Sequence, residues 1–169
     1  PIATNLQELT DLAKHSEDLK NKKVTLIEFT IDEDHYNDDF YNNLDNIIRN
    51  GHPKIICFYK CIIKSMFCQL IVDLGFLGTK LVINDCGLDS FLGERILDSL
   101  DPYSPIEIDL SNNKLGNSDC SLFIKYMKNV IKCHLAGFTS IDLSNNGFTS
   151  DIINDLKNFG EKYHFPIIL

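Results

Sequence analysis

The sequence has no apolar run long enough to span a bilayer. A spanning helix needs about 20 predominantly apolar residues, and the most apolar stretch, residues 55–77, is interrupted by two lysines and an aspartate. Near the start, Asp11, Glu17 and Asp18 stand where a secretory signal peptide would have a basic segment and an apolar core. The sequence therefore predicts neither membrane insertion nor a signal peptide.

Basic residues are scarce. The chain has 16 Lys and Arg against 24 Asp and Glu, for a formal net charge of −8. Because nucleic-acid binders usually carry clustered Lys and Arg, this balance argues against a nucleic-acid partner. A length of 169 residues with 44% hydrophobic and 24% charged residues is typical of one globular domain rather than a disordered tail.

The six cysteines lack a disulfide or zinc framework. No C-x-x-C occurs, the five histidines form no paired-ligand motif, and no Asn-x-Ser/Thr sequon is present. Cys57 and Cys61 are four residues apart, which is a poor spacing for zinc. We therefore expect free thiols, a reducing and hence cytoplasmic location, and no metal.

Calcium-loop and catalytic motifs are missing too. Residues 32–39 resemble a calcium loop only in composition, because Asn37 stands where the loop needs glycine. We expect these acids to line a helix N-terminus instead. The chain contains no G-x-S-x-G, H-E-x-x-H, P-loop or dinucleotide glycine pattern. The sequence thus predicts no catalytic residue, no cofactor and no enzymatic activity.

The sequence does have an internal repeat. Residues 108–113, Ile-Asp-Leu-Ser-Asn-Asn, recur letter for letter as residues 141–146, and an apolar residue follows each copy two positions later. The pattern L-x-L-x-x-N/C-x-L extends back through weaker copies. Its Asn or Cys positions, with Phe29 in the first, fall at 29, 61, 86, 113 and 146, at spacings of 32, 25, 27 and 33.

Each repeat has a physical interpretation. Alternation places Ile108 and Leu110 on the inner face of a short strand, while Asp109 points outward. At the turn that follows, an Asn or Cys side chain can satisfy backbone groups of neighbouring turns. We expect a structural ladder at these positions, formed by Cys61, Cys86, Asn113 and Asn146.

Between the strands the apolar period changes from 2 to 3.6, which predicts helices. A long helix with an N-cap at Ser118 or Asp119 is expected around residues 122–131, and others around 40–48, 91–100 and 152–159, the last with an N-cap at Ser150 or Asp151. The N-terminal segment 4–19 is predicted to be a helix with a Thr4-x-x-Gln7 capping box. Residues 165–169 are predicted to form a final strand.

These repeats resemble the leucine-rich repeat family, and the Asn or Cys positions with helices between them are similar to the ribonuclease-inhibitor type. The resemblance implies an α/β leucine-rich repeat solenoid with short parallel concave strands and convex helices. It covers residues 23–169 in about five irregular repeats, the last truncated, after an N-terminal capping helix in residues 1–22. The irregular spacing departs from the more uniform period of the family.

The register also predicts a partner-binding surface on the concave face. Its early half is apolar and aromatic and its later half is polar and acidic; the residues are Ile27, Ile55, Cys57, Tyr59, Val82, Asn84, Asp85, Glu107, Asp109 and Asp142. We expect a monomer that binds a protein with a basic, partly apolar epitope. In a simpler interpretation Asp109 and Asp142 are consensus repeat residues, Tyr59 is a solvated strand residue, and Cys57 is a surface filler rather than a reactive thiol.

Two function classes follow. The favoured one is a non-enzymatic protein-protein interaction module. Short, Asn-rich and Ile-rich irregular arrays are similar in style to secreted effectors of intracellular bacterial pathogens, which implies action on a host protein in the host cell cytoplasm. The alternative is a structural or scaffolding repeat fragment of a larger protein.

Overall fold

The computed structural model describes residues 1–31, 39–63, 78–99, 106–116, 120–133 and 138–169. In these ranges the chain forms nine short strands, five α-helices and a 3₁₀ helix. In chain order they are β1 (Ile2–Ala3), α1 (Leu6–Lys14), the 3₁₀ helix (Ser16–Leu19), β2 (Lys23–Ile27), β3 (Thr30–Ile31), α2 (Asp39–Gly51), β4 (Ile55–Tyr59), β5 (Ile62–Ile63), β6 (Lys80–Asn84), α3 (Ser90–Ser99), β7 (Ile106–Asp109), α4 (Cys120–Cys133), β8 (Phe138–Asp142), α5 (Ser150–Tyr163) and β9 (Ile167–Ile168).

Seven of the strands form one parallel sheet. Their spatial order, β1-β2-β4-β6-β7-β8-β9, follows the chain, and all neighbouring pairs are parallel. Parallel neighbours need a crossover connection, and a helix supplies it in every connection except that from β5 to β6, which runs outside the described residues. The predicted α/β class with parallel strands is confirmed.

The strand register agrees with the alignment of the repeats. Val24 pairs with Ile56 and Ile56 with Leu81, and the row continues through Ile108 to Ile141. These residues are all buried in the core cluster. Since successive side chains of a strand point to opposite faces, the residues between them lie on the other side of the sheet.

The core lies between the inner face of the sheet and the helices. Helix α2 buries one apolar stripe, Phe40, Leu44, Ile47 and Ile48, because apolar residues spaced three and four apart share a helix face. Helix α4 buries Ile124, Met127 and Ile131. Its predicted N-cap, Ser118 or Asp119, lies outside the described residues. Helix α5 begins at Ser150, so its N-cap position is Thr149, whose side chain makes no capping hydrogen bond, rather than the predicted Ser150 or Asp151.

The N-terminal segment differs from the predicted single capping helix. Residues 2 and 3 form a strand that pairs with β2, and the helix predicted over residues 4–19 is split into α1 and the 3₁₀ helix. The N-cap is Asn5, whose side chain accepts from the backbone N–H of Glu8 at 3.0 Å. The Glu8 carboxylate accepts from the backbone N–H of Thr4, the residue before the N-cap, at 2.7 Å. The capping pair is therefore Asn5 and Glu8, one residue later than the predicted Thr4 and Gln7.

A second parallel sheet was not predicted. Strands β3 and β5 pair beyond the ends of β2 and β4, and an isolated parallel bridge joins Asp89 to Lys114 further along. These contacts lie just past the ladder positions, so neighbouring units also pair after the turn. A two-residue strand is too short to give a periodicity signal.

Candidate functional site

The four ladder side chains make equivalent contacts. Each donates a hydrogen bond to a carbonyl at the inner-face position of the preceding strand or just after it. The pairs are Cys61 Sγ to Leu26 O at 3.8 Å, Cys86 Sγ to Phe58 O at 3.5 Å, Asn113 Nδ2 to Ile83 O at 2.7 Å and Asn146 Nδ2 to Leu110 O at 3.0 Å.

Asn113 makes the fullest set of contacts. Its amide also donates to Leu110 O and Ser111 O, and its Oδ1 accepts from the backbone N–H groups of Cys86 at 3.0 Å and Leu88 at 3.2 Å. Asn146 repeats the donor contacts, but its Oδ1 accepts one backbone N–H, that of Leu115. Asn113 is buried and Asn146 is half-buried.

The residue before each ladder position, and the residue before Phe29 in the first repeat, has a left-handed backbone. The φ angles are 62° at Glu28, 53° at Lys60, 54° at Asp85, 57° at Asn112 and 55° at Asn145. Except at Asn145, the N–H of each residue donates to a backbone carbonyl of the next unit. The sequence signal for this turn was the Asn or Asp at three of the five positions, since these residues tolerate the left-handed region.

The sheet face opposite the core carries most of the predicted partner-binding residues and is called here the open face. It consists of three rows running across the strands. The first is Lys23, Ile55, Lys80, Glu107 and Ser140; the middle row is Thr25, Cys57, Val82, Asp109 and Asp142; the third is Ile27, Tyr59 and Asn84. Asp85, predicted to belong to this surface, instead follows β6 in the left-handed turn.

Burial corrects the prediction for two of these residues. Cys57 is 0% exposed and Val82 is 3% exposed, so neither offers an accessible side chain. Both are short side chains in the middle row, and Cys57 has the longer Ile55 and Tyr59 beside it on its own strand. Burial raises the pKa of the Cys57 thiol, although nearby Lys23 opposes the shift. This environment argues against a reactive thiolate.

Two lysines on the open face, Lys23 and Lys80, were not among the residues predicted from the sequence. The Nζ of Lys23 lies 5.8 Å from the centroid of the Tyr59 ring, within the range of a cation–π contact. The Nζ of Lys80 lies 3.4 Å from Glu107 Oε2 on the neighbouring strand. The alignment of the repeats could have identified both lysines, because it places them at the same strand position as Ile55. Basic groups therefore accompany the apolar early half of the open face, and acids occupy β7 and β8.

The two aspartates of the middle row have local structural partners. Asp109 Oδ1 accepts from the backbone N–H of Ser111 at 3.0 Å and from its hydroxyl at 2.5 Å. Asp142 makes the same two contacts with Ser144, at 2.9 and 2.7 Å. Asp109 and Asp142 are also direct neighbours across β7 and β8. Each thus stabilises its own turn while adding negative charge to the open face.

The described ranges contain neither a metal-binding cluster nor a membrane-spanning helix. There, no group of three or more His, Cys, Asp and Glu side chains could hold a metal ion. No described helix combines the length and apolarity needed to cross a membrane. Of the acidic residues 32–39, the structure describes only Asp39, which lies in the first turn of α2.

No protein-family model matches the chain, and neither does any curated protein. The resemblance to leucine-rich repeats therefore rests on the repeated residues themselves and on the contacts that they make.

Proposed function

We propose that the chain is a leucine-rich repeat solenoid that acts as a non-enzymatic protein-binding module. Three features support the architecture: in-register parallel strands in chain order, helical returns, and ladder contacts repeated at four positions. In solenoids each repeat contacts its neighbours, and the stacked strands form an extended binding surface.

The open face is the proposed binding surface. One observation supports this proposal most directly: on the open face, the partly exposed side chains of Ile27, Ile55 and Tyr59 surround the buried Cys57. Apolar and aromatic groups that lose water on binding, bordered by polar residues, are the composition of a protein interface. The acids of β7 and β8 form one border.

The partner is a protein with a partly apolar epitope whose basic groups face Glu107, Asp109 and Asp142. An apolar side chain of the partner would contact Ile55 and Tyr59 on the early strands. Under this proposal the chain works as a monomer, and its similarity in style to bacterial effectors makes a host protein the partner to seek first.

Capture of a partner with matched variants tests the proposal. Tyr59→Asp places a charge in the apolar part of the open face, whereas Phe91→Asp places the same charge on helix α3, where Phe91 is 55% exposed. We expect the wild type and Phe91→Asp to retain the same host protein from a lysate and Tyr59→Asp to lose it. Equal retention by all three chains would contradict binding at the open face.

The outer strands favour a second candidate, a structural or scaffolding repeat. Ile2 on β1 is 61% exposed and Ile168 on β9 is 52% exposed, and among the described strands each has one neighbour in the sheet. Exposed strand edges favour pairing with further strands. Sedimentation equilibrium distinguishes the candidates, because a scaffold associates as concentration rises and Ile2→Lys would suppress that association, whereas the binding module stays monomeric.

A further inference from the structure

Beyond protein binding, we propose that Cys61 and Cys86 are a redox-sensitive pair that forms a reversible disulfide on exposure to a hydroperoxide. The two residues occupy successive ladder positions. The bond would join the turn after β4 to the turn after β6.

The first argument is register. Tyr59 pairs with Asn84 in the parallel sheet, and each cysteine lies two residues beyond its member of this pair. Neighbouring strands are about 4.8 Å apart, inside the Cα separation of about 4.4–6.8 Å that a disulfide spans. Equivalent residues of these two turns therefore have a spacing that suits the bond.

The second argument is where the sulfur atoms lie. Cys61 Sγ is 3.5 Å from Tyr59 O, and Cys86 Sγ reaches across to the adjacent carbonyl, Phe58 O, also at 3.5 Å. Both sulfurs thus lie against neighbouring peptide groups of β4. Both are free thiols and both are buried.

The third argument is that oxidation of the two cysteines would break only weak hydrogen bonds of the ladder. Thiols are weak donors, and Cys86 Sγ reaches its two carbonyls at 3.3 and 3.5 Å. Asn113, in the next unit, instead donates to three carbonyls at 2.7 to 3.1 Å. The cysteine part of the ladder can therefore exchange its hydrogen bonds for a covalent bond at smaller loss than the asparagine part.

Cys61 is the attacking thiol. The neighbouring Cys86 side chain lowers the pKa of Cys61, against the effect of burial, whereas the Cys61 side chain and burial together raise the pKa of Cys86. The Cys61 thiolate attacks one oxygen of hydrogen peroxide, the O–O bond breaks, and hydroxide leaves and is protonated to water. Cys61 is then a sulfenic acid.

The second step closes the bond. The Cys86 sulfur attacks the Cys61 sulfur, the S–O bond breaks, and a second water leaves with the Cys86 proton. Overall two thiols lose two electrons and two protons, and one hydrogen peroxide becomes two waters. Because Cys61 is 1% exposed and Cys86 is 7% exposed, the small oxidant enters through local opening, and the reaction is slow.

Peptide mapping of the folded wild-type chain tests the pair. Trypsin separates the cysteines, since Cys61 lies in peptide 61–64, Cys86 in 81–95 and Cys57 in 55–60. After treatment with hydrogen peroxide in native buffer and blocking of free thiols, we expect peptides 61–64 and 81–95 to be joined. The joined product should weigh two hydrogens less than the sum of the two reduced peptides. A reducing agent should separate them.

Variants make the result specific. Cys57→Ser should still form the joined peptide, and Cys61→Ala, checked for folding by circular dichroism, should not. The wild-type map is informative even if Cys61→Ala fails to fold. Blocked free thiols at Cys61 and Cys86 after treatment, a dominant link to Cys57, or a link that forms only in urea would each overturn the proposal.

Discussion

At the scale of the residue, the ladder side chains differ in what their removal leaves unpaired. Asn113 is buried and satisfies three carbonyls and two backbone N–H groups, whereas half-buried Asn146 satisfies three carbonyls and one N–H. An unsatisfied buried group costs its desolvation free energy, while water can reach an exposed one. The two asparagines therefore make unequal contributions to stability.

Asn113→Ala should lower the free energy of unfolding by about 1–3 kcal/mol, and Asn146→Ala by less. Urea denaturation of both variants measures the difference. Asn154→Ala, at an exposed position of helix α5, is the control and should change stability little. Equal losses of stability in Asn113→Ala and Asn146→Ala would show that burial does not determine how much each ladder asparagine contributes to the free energy of unfolding.

At one of the left-handed turn residues, a substitution should increase stability rather than reduce it. Lys60 is exposed and has φ 53°, a region that side chains other than Asn, Asp and Gly adopt at a cost. Lys60→Asn should raise the free energy of unfolding by about 0.5–1 kcal/mol. The control Lys54→Asn, at an exposed site without positive φ, should give no gain. A loss of stability in Lys60→Asn would contradict the turn geometry.

At the scale of the element, the first turn of α1 depends on an ionised Glu8. Hydrogen bonds from the backbone N–H and the hydroxyl of Thr4 lower the pKa of Glu8. A lowered carboxyl pKa stabilises the fold fully above the unfolded-state pKa, which is about 4.3 for glutamate. That contribution disappears as the pH falls through the folded-state pKa.

Glu8→Gln should therefore be less stable than the wild type near neutral pH, and the difference should shrink as the pH falls below about 4.3. Thermal melts from neutral to acidic pH measure it. A difference that stays constant over this range would mean that Glu8 acts through packing and not through its charge.

A close backbone contact joins the turns after β7 and β8. A Cβ on Gly116 would overlap the carbonyl carbon of Gly147, whereas a Cβ on Gly147 would lie 3.6 Å from the Gly116 Cα, an ordinary van der Waals distance. Gly116→Ala should destabilise by about 1–3 kcal/mol because backbone must move. Gly147→Ala is the matched control and should be tolerated. Equal melting temperatures for the two variants would contradict this packing.

The letter-for-letter repeat explains why so much of the element pattern could be predicted. It places Ile108 and Ile141 in one row, and the weaker copies extend that row correctly to Val24. Strand β1 could not be found this way, because two residues outside the repeat carry no periodic signal. Register assigns Cys57 to the open face, but whether it is accessible depends on its neighbours.

At the scale of the whole molecule, the open face separates two kinds of chemistry. Strands β2, β4 and β6 carry the apolar and aromatic groups together with Lys23 and Lys80, and β7 and β8 carry the acids. Opposite charge mainly changes the rate at which partners meet, whereas buried anchors mainly change the rate at which they separate. The two halves of the face should therefore affect different steps of binding.

Binding kinetics with the captured partner test this central claim most directly. The double variant Asp109→Asn and Asp142→Asn removes two charges and keeps an oxygen to accept from Ser111 and Ser144. We expect it to lower the association rate and its dependence on salt, whereas Tyr59→Ala should raise the dissociation rate and the control Phe91→Ala should change neither. Unchanged rates in the double variant and in Tyr59→Ala would show that the partner binds elsewhere.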